Sequence, residues 1–204
     1  MKVEKNIYIV FSETKTTMGK LIRRLTHNKY NHVSISTDRE LSVMYSFGRY
    51  HINSPLAGGF IVENPARYLI MGEDVNIKVC QLALDELSYA RFQKKLMAFV
   101  EDKHTKIYNS FSAISSLFHK RINIEDAYTC LDFTTSMLDI DGVYNIKELE
   151  YKLNRNVIYE GSFKEYIEEV LSPEDDFFRK QNALTVVLST LGHFRKLFIR
   201  YIRY

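Results

Sequence analysis

The chain has 204 residues, 46% hydrophobic and 26% charged, with a formal net charge of +3. That is room for one well-filled domain, or one domain with an appendage, and so mild a charge gives no electrostatic case for nucleic acid. With 14 Tyr and 13 Phe but only 3 Pro and 8 Gly, disorder is excluded and mostly regular elements are expected.

The opening Met1-Lys2-Val3-Glu4-Lys5-Asn6 has neither a long apolar core nor a small-residue cleavage site. No run of about 18 apolar residues appears, so neither a leader nor a spanning helix is expected. The expectation is a cytoplasmic α+β protein in which Cys80 and Cys130 are free thiols.

Taken in order, Asn6–Phe11 is β-branched and aromatic and reads as a buried strand. Thr16–Leu25 reads as a short helix with Met18, Leu21, Ile22 and Leu25 on one side. Asn28-Lys29-Tyr30-Asn31 is a turn, and His32–Ser36 then alternates: Val33 and Ile35 on one face, His32, Ser34 and Ser36 on the other. Leu41–Phe47 alternates again, with Val43 among its apolar set, so the two runs form a hairpin. From Gly48 through Pro55 to Gly58-Gly59 the chain reads as an irregular loop, with no Lys-Ser or Lys-Thr to make it a phosphate loop. Val75–Leu84 is a strand that holds Cys80 as a small hydrophobe. Asp85–Glu101 is a long helix with Leu87, Ala90, Phe92, Leu96, Phe99 and Val100 inside.

Thr105–Asn109 is a connector and Ser110–Phe118 a short helix. A polar helix is expected near Ile146–Leu153, a β-like piece at Val157–Glu160, and a helix opened by Ser162 with Glu165 at N3 and closed by Pro173. The boundary is placed there: a domain over 1–172 and a helical extension over 173–204. In the extension Leu184, Val187, Leu188, Leu191, Phe194, Phe198 and Tyr201 recur at helical spacing among Arg195, Lys196, Arg200 and Arg203. Such a helix packs on its own domain, docks on a partner, or lies on an anionic membrane surface.

The chemistry centres on Asp126–Leu138. Thr129 is the expected N-cap and Asp132 the acid three residues on; Phe133, Met137 and Ile140 give an apolar side, and Gly142 a stop. Cys130 therefore falls in a first turn, where the helix dipole and unpaired amides favour a thiolate. A buried, inert thiol is the alternative until a base is found.

Six histidines are available: His27, His32, His51, His104, His119 and His193. His32 stands apart because a strand holds it rigidly on a polar face. Imidazole within about 3–4 Å of a thiol takes its proton, and a third polar group fixes the ring. Ser46 on the neighbouring strand and the carboxylate of Glu63 are the two candidates. Tyr128 is placed to line an oxyanion site, and Arg49 to bind a substrate carboxylate. There is no His-x-x-x-His or Cys-x-x-Cys, so neither a metal nor another cofactor is expected.

Asn31-His32-Val33-Ser34-Ile35, then Val43-Met44-Tyr45-Ser46-Phe47, then Tyr128-Thr129-Cys130-Leu131-Asp132-Phe133 follow one another in that order. This order resembles the circularly permuted branch of the NlpC-type, papain-like superfamily, which includes YiiX-like proteins and the lecithin retinol acyltransferase group. Tyr108-Asn109 is similar to the Tyr-Asp or Tyr-Asn found there upstream of the cysteine. The resemblance covers roughly residues 5 to 170. It implies an antiparallel sheet carrying His32, packed against the helix that presents Cys130, and a thiol hydrolase or acyltransferase acting on a peptide, an amide or a lipid ester. YiiX-like members carry a Glu on the strand after the His strand, where this chain has Ser46. A binding or structural protein that keeps the fold without activity is the competing expectation. The sequence leaves the substrate and the oligomeric state open.

Overall fold

The computed structural model describes residues 4–16, 19–20, 23–24, 27–54, 56–69, 73–115, 122–167 and 176–203. Eight strands run β1 Lys5–Ser12, β2 His32–Ser36, β3 Met44–Arg49, β4 Gly58–Glu63, β5 Asn76–Leu84, β6 Ile107–Tyr108, β7 Ala127–Tyr128 and β8 Val157–Ser162. Among the described residues the helices include α1 Glu86–Glu101, α2 Ser110–Ser115, α3 Cys130–Met137, α4 Ile146–Lys152, α5 Phe163–Tyr166 and α6 Ala183–Arg203. Together they make a mixed α+β fold.

All eight strands join one sheet in the order β7-β6-β4-β3-β2-β1-β5-β8. The pairs are antiparallel except β6 with β7, which run parallel with Tyr108 beside Tyr128. The alternation seen in the sequence sorts the two faces. Ile7, Ile9, Phe11, Val33, Ile35 and Phe47 pack against Phe92 and Leu96 of α1 and against Leu131, Phe133 and Met137 of α3. Tyr8, Val10, Met44, Ile77 and Val79 point the other way, toward Tyr68 and Phe163. Cutting Phe133 back to alanine would remove about 3–5 kcal/mol from the first of these cores.

The structure departs from the sequence reading in several places. Gly58 and Gly59 are not in a loop: they open β4, paired with Arg49 and Gly48. A Cβ on Gly58 would come within 2.2 Å of the Gly48 carbonyl oxygen, and one on Gly59 within 2.4 Å of that of Lys106. The pair is glycine because backbone crowds both positions, not because the chain is loose there. The second hairpin strand begins at Met44, not Leu41. Leu41 turns in a left-handed conformation (φ 56°) and packs on Met44's face, which leaves Val43 outside, 37% exposed. Leu87 lies on the outer side of α1, whose buried residues are Phe92 and Leu96.

The connector at Thr105–Asn109 holds β6, and Pro65–Tyr68, read as no element, is a 3-10 turn capped by the Asn64 side chain. Met18, Leu21, Ile22 and Leu25 of the expected first helix lie outside the described residues. So do the end of the Ser110–Phe118 helix, His119, Pro173 and the 172/173 boundary.

Helix α6 packs on the β6–β7 end of the sheet. Leu197 is fully buried with Ile107, Ile124 and Ala127, and His193 Nε2 donates to the Tyr108 carbonyl at 2.9 Å. Arg200 donates to the carbonyls of Asp126 and Thr105 at 2.9 and 3.0 Å.

Candidate active site

Cys130 is the first residue of α3, and the local sequence explains why. Thr129 is extended and its hydroxyl accepts from the Asp132 amide at 3.1 Å, while Asp132 Oδ2 accepts from the Thr129 amide at 2.9 Å. This reciprocal cap ties up the start of the helix and fixes the turn that carries the thiol. The helix stops at Met137; Asp139, with φ 52°, makes the left-handed turn before Gly142 does. The other anchor is β7, whose parallel pairing with β6 sets Tyr128 and Tyr108 side by side just ahead of Cys130.

The Cys130 thiol lies beside the imidazole of His32, the first residue of β2, near enough to help raise that ring's proton affinity. The ring's Nε2 lies 2.6 Å from Glu63 Oε1. Glu63 Oε2 accepts from the Ser34 hydroxyl at 2.6 Å and from the Tyr68 hydroxyl at 2.8 Å. By alternation Ser34, Glu63 and Tyr68 belong to the sheet face opposite α3, and Cys130 to the face that α3 covers. His32, at the end of its strand, joins the two.

The electrostatics follow from this burial. Desolvation lowers the proton affinity of His32, but the Glu63 charge and the hydrogen bonds to Cys130 and Glu63 outweigh it and carry the pKa up to about 10. Burial pushes Glu63 upward, yet the His32 charge and the bonds from His32, Ser34 and Tyr68 bring it down to about 2. The two shifts describe one coupled pair: an imidazolium facing a carboxylate. Tyr68 is held well above the ordinary tyrosine value by burial and then by the Glu63 charge, so its hydroxyl stays a donor.

A cleft opens at Cys130. Its walls include Tyr30, Asn31, Tyr108, Ser112, Thr129, Asp132, Tyr144 and Asn145. Several of these are fixed by other bonds. Asn31 Oδ1 accepts from the Thr14 amide and from Arg23 Nη1, both at 2.9 Å. The Tyr30 hydroxyl donates to Glu160 at 3.0 Å. Tyr108 is buried against the thiol, and burial followed by the Cys130 charge raises its pKa.

Of the residues singled out in the sequence, Cys130, His32 and Glu63 are brought together. Ser46 is not part of this group: its hydroxyl donates to the Val33 carbonyl at 2.7 Å. Gly48 lies beside the acid: a Cβ there would stand 3.8 Å from Glu63 Oε1 and 2.7 Å from Ile61 Cδ1. Tyr128 does not line the cleft; its ring packs at 5.2 Å from that of Phe47 and 5.3 Å from that of Phe99. Arg49 is also turned away from it, donating to the Ile52 carbonyl at 2.9 Å with its guanidinium 5.5 Å from the Phe177 ring centre.

The sequence reading missed Tyr68 as a partner of the acid, and Tyr30 and Asn31 as cleft walls. Ser34 had a signal, since it shares His32's strand face; Tyr68 had only its place after the Asn64-Pro65 turn. Comparison with known proteins adds no relative: no family model matches the chain, and neither the curated proteins nor the solved structures yield a match.

Proposed function

We propose that the protein is a cysteine-dependent acyl-transfer enzyme of the permuted papain-like type, with Cys130 as nucleophile, His32 as its base and Glu63 as the group that holds the ring. The observation that carries this reading is the gathering of two groups on one imidazole: the Cys130 thiol beside the His32 ring, and the buried Glu63 carboxylate 2.6 Å from its Nε2. The order of parts supports it as well: a His strand, then the acid, then a Cys helix packed on an antiparallel sheet.

In this reading the Cys130 sulfur attacks the acyl carbon of an amide or ester and forms a C–S bond. The imidazolium of His32 returns its proton to the leaving nitrogen or oxygen as that bond breaks. Water or another nucleophile then attacks the thioester while His32 takes its proton, and the C–S bond breaks to release the product. The amides of Cys130 and Leu131, which the Thr129 side chain does not cap, supply donors for the developing oxyanion. The cleft walls are uncharged, with polar, aromatic and aliphatic side chains, apart from Asp132, whose carboxylate already serves the helix cap. That lining suits an uncharged acyl group: a peptide, another amide, or a lipid ester.

The test is exposure to an activated ester such as p-nitrophenyl acetate, followed by intact-mass and peptide analysis. The expected result is a rapid acyl adduct on Cys130 that Cys130→Ser abolishes and His32→Ala slows at least about 10²-fold. An adduct rate at Cys130 that does not respond to His32→Ala would sink the reading.

A further inference from the structure

We propose that the outer side of α6 is a docking surface for an anionic lipid bilayer, on which the protein rests without crossing it. Leu184, Leu188, Leu191, Phe198 and Ile202 stand between 57% and 69% exposed. At about 100° per residue these five fall within an arc of about 80°, and His193 and Leu197, the buried residues of the helix, lie on the far side. The stripe therefore runs along a helix of 21 residues that is already folded and fixed to the body of the protein. An exposed apolar band of that length marks a binding surface.

Charge selects the occupant. Ala183–Arg203 contains no Asp or Glu, and it carries Arg195, Lys196, Arg200 and Arg203. Arg200 is spent on the carbonyls of the β6–β7 end. Arg195 lies inside the apolar arc, and Lys196 and Arg203 stand together about 60–80° beyond one edge of it. Long basic side chains beside an apolar stripe reach up to phosphate while their stems stay in the acyl boundary. Two copies packed stripe to stripe would set these cations against each other, which disfavours a self-interface. No helix among the described residues is long and apolar enough to cross a membrane, so the mode is lying on the surface. Because His193, Leu197 and Arg200 hold the helix in place before it binds, little ordering entropy is lost on docking.

This inference does not depend on the thiol chemistry, and its test separates the two. The chain has no Trp, so Phe198→Trp in the full-length protein provides a single emitter on the stripe. It is mixed with vesicles of phosphatidylcholine alone and of phosphatidylcholine with phosphatidylglycerol. The expected results are flotation with the anionic vesicles, a blue shift of the Trp emission, and weakening of both by added salt. Leu188→Glu combined with Leu191→Glu is expected to lower partitioning about 10²-fold or more, while circular dichroism and the Cys130 alkylation rate stay unchanged. Failure to float with anionic vesicles, or equal flotation of the double variant, would overturn the proposal. A concentration-dependent dimer that the same substitutions dissolve, without vesicle binding, would also overturn it and assign the stripe to a second copy.

Discussion

His32 and Glu63 sit two strands apart, yet Nε2 of one lies 2.6 Å from Oε1 of the other, with β3 between them. On the face they share, β3 presents Ser46 and Gly48, and a Cβ on Gly48 would stand 3.8 Å from Glu63 Oε1. The contact makes Glu63, and not Ser46, the group that orients the imidazole.

Two substitutions separate those roles. Glu63→Gln keeps a hydrogen-bond acceptor but removes the charge that supports the imidazolium. The His32 pKa should fall from about 10 toward its ordinary value, read from the imidazole proton shifts across pH. Acylation of Cys130 should slow by about 10²-fold or more. Ser46→Ala removes only the bond to the Val33 carbonyl. It should cost about 1 kcal/mol in denaturant unfolding and leave the acylation rate within about twofold. The reverse pattern would return the orienting role to Ser46.

The same pair makes stability depend on pH, in a direction that can be worked out. Glu63 is depressed to about 2 in the folded protein, so its contribution is full above its unfolded value near 4.5 and is lost as pH falls toward 2. His32 is raised to about 10, so its contribution is full below its unfolded value near 6.5 and is lost as pH rises through 10. Because each shift is largely the other's charge, the interaction counts once. Unfolding free energy should peak between about pH 4.5 and 6.5 and decline on both sides. In His32→Ala the alkaline decline that His32 supplies should vanish, and stability near neutrality should drop by about 3–5 kcal/mol, because Glu63 stays buried without its cation. Chemical denaturation of both proteins across pH checks this.

How much of this was legible beforehand follows the range of the signal. The period of two in His32–Ser36 correctly sorted Val33 and Ile35 from His32 and Ser34, because face is a local property of a strand. Thr129 and Asp132 announced the helix cap for the same reason. The acid was not legible to that degree. Nothing local says that β4 pairs with the edge of β3 away from β2, or that Glu63 there reaches back to His32. Tyr128 and Arg49 were sound choices by residue type and by closeness in sequence. An aromatic cluster captured the first, and the Ile52 carbonyl with Phe177 captured the second, both through tertiary contacts. The helical spacing of α6 was readable, but which of its apolar residues would face inward was not. Leu197, the fully buried one, was absent from the expected stripe.

Gly58 tests the view that the Gly-Gly pair belongs to the sheet. A Cβ there would meet the Gly48 carbonyl oxygen at 2.2 Å and the Gly48 carbonyl carbon at 2.9 Å, both backbone atoms that no side-chain rotation can move. Gly58→Ala should therefore push β4 away from β3 and cost about 1–3 kcal/mol in denaturant unfolding. The displacement would also carry Glu63 off His32, so acylation of Cys130 should fall with stability. A flexible loop would accept the same alanine with no loss, and a neutral result in the unfolding curve would refute the strand reading.

The two cysteines give a prediction on selectivity. Both are free, and both count among the buried residues of one core cluster. Cys80 is fully buried in β5, and burial, outweighing the nearby Lys78, pushes its thiol up to about 12. Cys130 is 6% exposed, but it lies in the wall of the cleft and beside the His32 ring. Reagent access and a neighbouring imidazolium thus coincide at one thiol and are both missing at the other. Iodoacetamide at neutral pH should alkylate Cys130 alone in the folded protein, and both cysteines once denaturant is added, as read by peptide mass spectrometry. Cys130→Ser should leave the folded protein unreactive. If Cys80 reacts at a similar rate in the folded state, the sheet opens at β5 more readily than its burial implies. The selectivity would then reflect local unfolding and not the chemistry of the cleft.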